Sequence, residues 1–271
     1  MFGGFDVWEW LLPLFGFLIS IVAALTGVGG GIFIVPLLTL LYNFEPVAAV
    51  GTSLTTIIIT SLASSASYLR QKSVYVRAGL VLACASALGG YVGAAITTVP
   101  LVKVWLGLIF GVFLIFVAFQ MVFKAIRAKP IKASAKVDPA FEKAFLKNRR
   151  RIILGLFLSF FGGIASGLLG IGGGVVLVPV LCYALGFPIY FSIPTSMFIM
   201  IFTSIFGASN HFQQGNVNAL YAVYLGLGSV VGAQVGAYIS GKLSSRSLSF
   251  VFAAMLVVAS VNMILKSLHY I

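Results

Sequence analysis

The sequence is poor in charge, and above all in acidic residues. Charged residues make up 8% of the 271 positions and apolar residues 61%, and Asp and Glu together number five. Soluble globular domains carry about 25% charged residues. The composition therefore excludes a soluble core with a hydrated exterior and predicts an integral membrane protein, in agreement with a mean hydropathy of +1.13.

No acidic residue lies in the middle of an apolar segment. Asp6, Glu9 and Glu45 fall near expected membrane interfaces, and Asp138 and Glu142 fall in a basic loop. Cation transporters usually place carboxylates inside the membrane, so a cation substrate is disfavoured. The sequence also lacks paired carboxylates, a metal-ligand cluster, a Ser/His/Asp set and a nucleotide-type phosphate loop. We therefore expect no enzyme activity, no cofactor and no metal.

The apolar part of the chain contains an internal repeat. Adding 143 to a residue number aligns the first half with the second without a gap, so that LTGVGGGIFIVP at 25–36 returns as LLGIGGGVVLVP at 168–179. Glycine, proline, threonine and serine in the same register are hard to obtain by chance. The sequence predicts two transmembrane repeats, 1–123 and 152–271, joined by a basic cytoplasmic linker, 124–151.

Cysteine is scarce, and positive charge is concentrated in one place. Cys84 and Cys182 lie in apolar stretches and do not correspond under the offset, so we expect no structural disulfide. Ten of the 17 Lys and Arg lie between Lys124 and Arg151. The net charge of +12 therefore belongs mainly to one loop and does not indicate nucleic-acid binding.

Each half divides into five apolar segments at breaks marked by glycine, proline or charge. The second segment of each half is too short for a bilayer core, which needs about 20 helical residues. The fold expected is an all-α polytopic membrane protein, and the sequence leaves open whether the short segments cross or re-enter. The segments are 8–27, 31–43, 48–69, 78–98 and 103–123, then 152–170, 174–186, 192–210, 218–240 and 246–266.

The distribution of Lys and Arg predicts the orientation. Cytoplasmic loops beside spans are enriched in these residues, so the linker and the loop with Arg70, Lys72 and Arg77 are expected inside. The equivalent loop at 211–217 has no Lys or Arg and is expected outside. An odd number of crossings in each half then makes the repeats inverted. Both termini are expected outside, and the protein in the plasma membrane.

The duplicated glycine triplets predict breaks in helices. Each glycine costs about 1 kcal/mol relative to alanine inside a helix, and backbone groups freed within a membrane need protein, water or a ligand. The short helix after the triplet offers free N–H donors and a positive dipole end. Two such ends, inserted from opposite faces, would frame one anion site. The substrate contacts expected are Gly29, Gly30, Gly31, Gly172, Gly173 and Gly174.

Close helix packing is the alternative role for a glycine in a membrane helix. For the triplets it remains open beside the anion site. It is the role expected of Gly89, Gly90, Gly93, Gly232 and Gly236.

Two duplicated hydroxyl pairs are the next candidates for substrate contacts. Thr52 and Ser53 correspond to Thr195 and Ser196, near the starts of the third segments. As helix caps they would satisfy free N–H groups. As ligands they would donate to an anion without adding charge, and the two roles are compatible.

The motifs TGVGGGIFIVPLL and GTS, with GIGGGVVLVPVL and PTS in the second half, resemble the sulfite exporter family TauE/SafE. The resemblance covers residues 7–266. It implies a polytopic transporter of small sulfur-containing anions such as sulfite, sulfonates or sulfoacetate, with substrate contacts at the triplets and hydroxyl pairs. Pro194 replaces the equivalent of Gly51, so contacts there are expected to differ between the halves.

Three functions are compatible with these features. The leading expectation is a secondary transporter, an exporter of sulfite or organosulfonates that works by alternating access around a site between the repeats. A membrane potential negative inside would favour anion export. The alternative is an anion channel with the same donors along a pore, and a third class is a membrane scaffold whose linker binds lipid or a partner. The expected partners are a small anion and the lipid bilayer, with no nucleic acid.

Overall fold

Only helical secondary structure occurs in the part of the chain that the structure, a computed structural model, describes. This part comprises residues 7–99 and 137–240, together with isolated positions between 115 and 123 and between 250 and 265. The all-α prediction is confirmed for it. The predicted fifth segments and residues 124–136 of the linker lie outside the continuously described ranges.

The first half forms a 3₁₀ helix and four α-helices, and the linker forms one more α-helix. Among the described residues, six helices are long and apolar enough to cross a membrane: α1 with the turn before it, α3, α4, α6, α8 and α9. A π-helical stretch, Val180–Ala184, continues α7. The bounds are 3₁₀ Val7–Leu11, α1 Leu12–Thr26, α2 Gly31–Leu40, α3 Pro46–Arg70, α4 Val76–Ile96, α5 Pro139–Lys147, α6 Arg149–Leu169, α7 Gly174–Pro179, α8 Ile189–Gln213 and α9 Ala219–Ser240.

The helices repeat with the register of the sequence. α3 and α8 both have 25 residues and begin at positions related by the offset, Pro46 and Ile189. The starts of α4 and α9, and of α2 and α7, are related in the same way. The duplicated sequence therefore builds the same helix order twice, and only the second half changes to a π-helix after its short helix.

One group of helix ends surrounds Tyr221, near the start of α9. The Tyr221 hydroxyl donates to Glu9 Oε1 at 2.7 Å, just before α1. Its ring packs edge-on against Tyr42, just after α2, and Phe44, just before α3. Because α1 starts and α2 ends in this group, the two helices form a hairpin. The first glycine triplet lies at its tip.

A second group of helix ends surrounds Phe187, in the loop before α8. Its ring packs edge-on against Tyr75, just before α4, and against Phe141 and Phe145 of α5, with ring centroids 5.0 or 5.1 Å apart. Since α5 leads directly into α6, this group contains the start of α6 and the end of the π-helix after α7. These helices form a second hairpin, tipped by the second triplet. Within the described residues, both short segments re-enter rather than cross.

The two halves pack together through their first and last described long helices, each of which contacts a helix of the other half. The most extensive contacts join α1 to α9 and α4 to α6. Glycine permits this approach, because a Cβ on Gly89 would lie 2.0 Å from the Phe160 carbonyl oxygen, and one on Gly232 would lie 2.1 Å from that of Phe17. The predicted packing role of these glycines is confirmed. It extends to Gly90, Gly93 and Gly236, which also face backbone carbonyl oxygens of a neighbouring helix.

Candidate functional site at the glycine breaks

Both glycine triplets lie in short breaks between helices, as predicted. Gly29 and Gly30 have φ angles of +86° and +89°, and Gly172 and Gly173 have +75° and +83°. Side chains with a Cβ are strained in this left-handed region, whereas glycine enters it freely. The third glycine of each triplet is the first residue of the short helix that follows. The backbone of the breaks therefore requires glycine.

The tips of the two hairpins contact each other. A Cβ on Gly31 would lie 2.0 Å from the carbonyl oxygen of Gly170, and a Cβ on Gly174 would lie 2.0 Å from that of Gly27. The two contacts are equivalent under the offset. The structure thus brings the two triplets together, with backbone against backbone where they meet.

Two predicted site residues, Ser53 and Ser196, fix these tips. The Ser53 hydroxyl donates to the carbonyl oxygen of Gly170 at 2.8 Å, and the Ser196 hydroxyl donates to that of Gly27 at 3.0 Å. Ser196 also lies 2.8 Å from the carbonyl oxygen of Ile193. Both hydroxyls are buried and direct their protons to carbonyl groups. Each serine therefore holds the break of the opposite half.

The two predicted threonines lie one position before the serines and bind different groups. Thr52 Oγ1 accepts from the N–H of Asn218 at 3.0 Å, and Thr195 Oγ1 accepts from the N–H of Tyr75 at 3.2 Å. Each donor immediately precedes a helix of the opposite half, α9 or α4. Neither threonine proton has an acceptor among the residues that the structure describes. The threonines thus cap neighbouring helices and retain a free donor.

Backbone N–H groups at both breaks lack a protein acceptor. Within the described ranges, the N–H groups of 29–32 and of 172–175 donate no hydrogen bond, although all these residues are buried. A buried N–H without a partner costs about 1–3 kcal/mol. Donors that are left unpaired at the meeting point of two hairpins can bind one anion between them.

Ile57 and Met200 pack against both triplets, and the sequence did not reveal them. A Cβ on Gly29 would lie 2.7 Å from Met200 Cε and 3.2 Å from Ile57 Cγ2. One on Gly172 would lie 3.0 Å from Ile57 Cγ2 and 3.3 Å from Met200 Sδ. An apolar residue in an apolar helix gives no signal of its own. Their equivalence under the offset, beside Thr52 and Thr195, is the only available indication.

The middle glycines, Gly30 and Gly173, face their own hairpins rather than the centre. A Cβ on Gly30 would lie 3.0 Å from Ile19 Cγ2 and 3.4 Å from Ala23 Cβ, and one on Gly173 would lie 3.3 Å from Ser166 Cβ. The three glycines of a triplet therefore face three different sets of neighbours. The first faces the central side chains, the second faces its own hairpin, and the third faces the opposite hairpin.

A polar side chain near the end of each central helix anchors the hairpin of its own half. The Tyr68 hydroxyl on α3 donates to the carbonyl oxygen of Ala24 at 2.7 Å. His211 on α8 occupies the equivalent position, with Nε2 3.0 Å from the carbonyl oxygen of Gly167, so this nitrogen carries the proton. The same backbone group is thus bound in both halves by different side chains.

Fixed charge is absent from the described interior. The buried polar side chains of the described residues are serines, threonines, one asparagine and one histidine, together with the hydroxyl-bearing rings of Tyr68 and Tyr75. Nor do these residues contain a group of His, Cys, Asp and Glu that could hold a metal ion. Charged side chains lie at the helix ends. There the pKa of the Tyr42 phenol is raised, mainly by burial and secondly by the negative charge of Glu9. Backbone dipoles and hydroxyl groups therefore set the electrostatics at the breaks.

Comparison with known proteins identifies the family. The family model for the sulfite exporter TauE/SafE matches residues 12–263. This chain belongs to the TauE/SafE family. It is 31% identical to the Probable membrane transporter protein YunE of Bacillus subtilis (strain 168), covering 95% of this chain and 98% of the relative. Probable membrane transporter proteins of Haemophilus influenzae (30% identical; 94% and 98% covered) and Methanocaldococcus jannaschii (26%; 94% and 95%) are also similar.

Family membership fixes the general function. A TauE/SafE protein whose described part has six helices long and apolar enough to cross a membrane is a multi-pass membrane transporter of a small molecule. The names of the relatives point to transport rather than to an enzymatic reaction. No solved structure matches the chain.

Proposed function

We propose that this TauE/SafE protein is a secondary transporter that exports sulfite or an organosulfonate through a site between the two glycine breaks. The proposal is supported by the unpaired N–H groups of 29–32 and 172–175, which belong to two buried breaks that contact each other, with no charged side chain among the described interior residues. Such donors suit an anion. The sulfur-containing class comes from the family to which the chain belongs.

The proposed site residues divide into donors and supports. The six triplet glycines provide N–H donors, and Thr52 and Thr195 provide hydroxyl donors. Ser53 and Ser196 hold the breaks in place through Gly170 and Gly27. An anion bound by neutral donors keeps its charge, so a membrane potential negative inside assists its export by about 2.3 kcal/mol per charge per 100 mV.

The proposed topology is a pair of inverted repeats. α3 begins in the group of helix ends around Tyr221, whereas its equivalent α8 begins in the group around Phe187. Equivalent helices then run in opposite directions. Arg70 is the last residue of α3 and Lys72 follows it at the Phe187 end, which is the cytoplasmic end by the positive-inside rule. The termini would lie outside the plasma membrane.

The proposed alternating access is assigned to the two threonine caps. Thr52 binds Asn218 toward the Tyr221 end, and Thr195 binds Tyr75 toward the Phe187 end. In the proposed mechanism, opening toward one end separates one pair while the other stays closed. The membrane potential and the substrate gradient drive export, and no coupling ion is required.

Flux in proteoliposomes tests this function. We expect saturable transport of radiolabelled sulfite or a short sulfonate, such as sulfoacetate, above the rate of protein-free vesicles. Flux proportional to concentration, with single-channel currents, would instead support an anion channel. No flux of any of these anions under any gradient would overturn both.

A further inference from the structure

Four buried serine hydroxyls in the described part of the chain have no hydrogen-bond partner there. A serine in a membrane helix ordinarily donates to the carbonyl oxygen three or four residues earlier. Thr56, Thr60 and Ser64 do this in α3, at 2.8 to 3.1 Å. The exceptions need an explanation, because an unpaired buried hydroxyl is unfavourable. They are Ser65, Ser159, Ser166 and Ser204.

Ser166 lies beside the second triplet. It is in the last turn of α6, and its Cβ lies 3.3 Å from the position of a Cβ on Gly173. The carbonyl oxygen of Gly162, the ordinary acceptor for this hydroxyl, lies beside the same position and is not used. The Ser166 proton is therefore unpaired on the hairpin-facing side of the second break, where the N–H groups of 172–175 are also unpaired.

Ser204 lies on the central face of α8, one turn after Met200. Residues four apart share a helix face, and the Met200 side chain contacts the positions of Gly29 and Gly172. The equivalent serine in α3, Ser61, donates to the carbonyl oxygen of Ile58 at 3.1 Å. Ser204 makes no such bond and keeps its proton free.

The first half offers no matching donors at these two positions. The equivalent of Ser166 is Ala23, which has no hydroxyl, and the equivalent of Ser204 is Ser61, whose proton is already bound. The backbone frame is the same in both halves. The extra donors are therefore confined to the second half of the chain, and one of them, Ser166, lies beside the second triplet.

We propose that Ser166 and Ser204 donate hydrogen bonds to the substrate and hold it closer to the second triplet than to the first. The ligand class is an oxyanion with several acceptor oxygens, since donors approach it from a backbone loop and from two different helices. The inference rests on the proposed function, because it adds side-chain donors to the same site.

Alanine variants of the two serines test the inference in full-length protein. We expect Ser166→Ala and Ser204→Ala each to raise the Kd for sulfite and for a short sulfonate about ten- to a hundredfold. This is the effect of losing one hydrogen bond to a charged ligand. The melting temperature without ligand should stay equal or rise, since an unpaired hydroxyl is removed. Calorimetric titration and thermal unfolding measure the two quantities.

Matched controls come from the other two unpaired serines. Ser159 is seven residues from Ser166 on α6, about 10 Å along the axis, and Ser65 is eight residues from Ile57 on α3, about 12 Å along it. Ser159→Ala and Ser65→Ala make the same chemical change and should leave Kd within twofold. Ser204→Thr keeps a hydroxyl and should bind the anions as the unmodified protein does. If Ser166→Ala does not fold, the comparison of Ser204→Ala with Ser204→Thr tests whether the hydroxyl binds the substrate.

The outcomes separate this inference from the proposed function. If the unmodified protein binds the anions and both alanine variants bind them equally well, the serines are not donors, while the proposed function stands. Equal weakening by the two controls would also overturn the inference. If the unmodified protein neither binds nor transports these anions, the proposed function fails and the inference fails with it.

Discussion

The two halves of the molecule share one backbone and differ in the side chains placed on it. Each half makes the same hydrogen bond to the other: Ser53 donates to the carbonyl oxygen of Gly170, and Ser196 donates to that of Gly27. Beside these fixed contacts the residue types diverge, since Ala23 corresponds to Ser166. The shared backbone therefore requires small residues and hydroxyl-bearing residues at the tips of the hairpins. The positions around the tips are free to differentiate.

The largest effect is expected where the backbones touch. Gly174→Ala places a methyl group 2.0 Å from the Gly27 carbonyl oxygen, and Gly31→Ala does the same at Gly170. Neither backbone can yield easily, so we expect each variant to lose about 3 kcal/mol or more of unfolding free energy. Thermal unfolding and chromatographic yield measure the loss.

The matched control for this prediction is Gly162→Ala. Gly162 is also helical, but its new methyl group would meet the movable Val176 side chain at 3.2 Å. It should be neutral or slightly stabilising, because alanine favours helix by about 1 kcal/mol. A large loss in only one half would contradict the equivalence of the two tips.

An intermediate effect is expected at the threonine caps. Thr52→Val leaves the N–H of Asn218 without its acceptor, and Thr195→Val does the same to Tyr75. Each should cost about 1–3 kcal/mol of unfolding free energy. Thr→Ser at the same positions retains the oxygen and should recover most of it. Unchanged melting temperatures for both valine variants would show that these bonds contribute nothing.

A smaller effect is expected from removing a contact that the linker makes with the first half. The Glu142 carboxylate on α5 accepts from the N–H groups of Arg77 and Ala78 at 2.9 and 3.1 Å, and so caps α4 from the linker. Glu142→Ala should lower the unfolding free energy by about 1 kcal/mol. Lys143→Ala, on the same exposed helix, is the control and should change little. Equal melting temperatures would mean that α5 does not support α4.

The smallest effect is expected from exchanging the central side chains. The double variant Ile57→Met with Met200→Ile keeps the total volume and should change stability by less than about 1.5 kcal/mol. If the difference between Ile57 and Met200 makes the site bind substrate closer to one triplet, the ratio of inward to outward flux rates should change. The proteoliposome assay measures this ratio, and each single variant serves as its control.

The sequence predicted the helices and breaks well because duplication supplied each boundary twice. The predicted segments 48–69 and 192–210 fall within α3 and α8, and both breaks are at the triplets. Helix bounds depend on local signals such as glycine, proline and charge, which a sequence displays. The re-entry of the short segments was left open, because their length alone does not specify where the chain goes next.

The roles within the candidate site could not be predicted in the same way. Adjacent hydroxyls, Thr52 and Ser53, looked equivalent, yet one accepts from a helix start and the other donates to a break. Both partners belong to the opposite half, so the distinction depends on tertiary contacts. Ile57 and Met200 were missed for the related reason that apolar residues in apolar helices carry no chemical signal.

The packing of outer helices across the two halves has a consequence for a chain of half this length. Such a chain would expose the glycine-lined faces that α1 and α9, or α4 and α6, cover for each other. It would need a second copy of itself to cover them. Joining the two copies in one chain allows equivalent positions such as Ala23 and Ser166 to carry different residues.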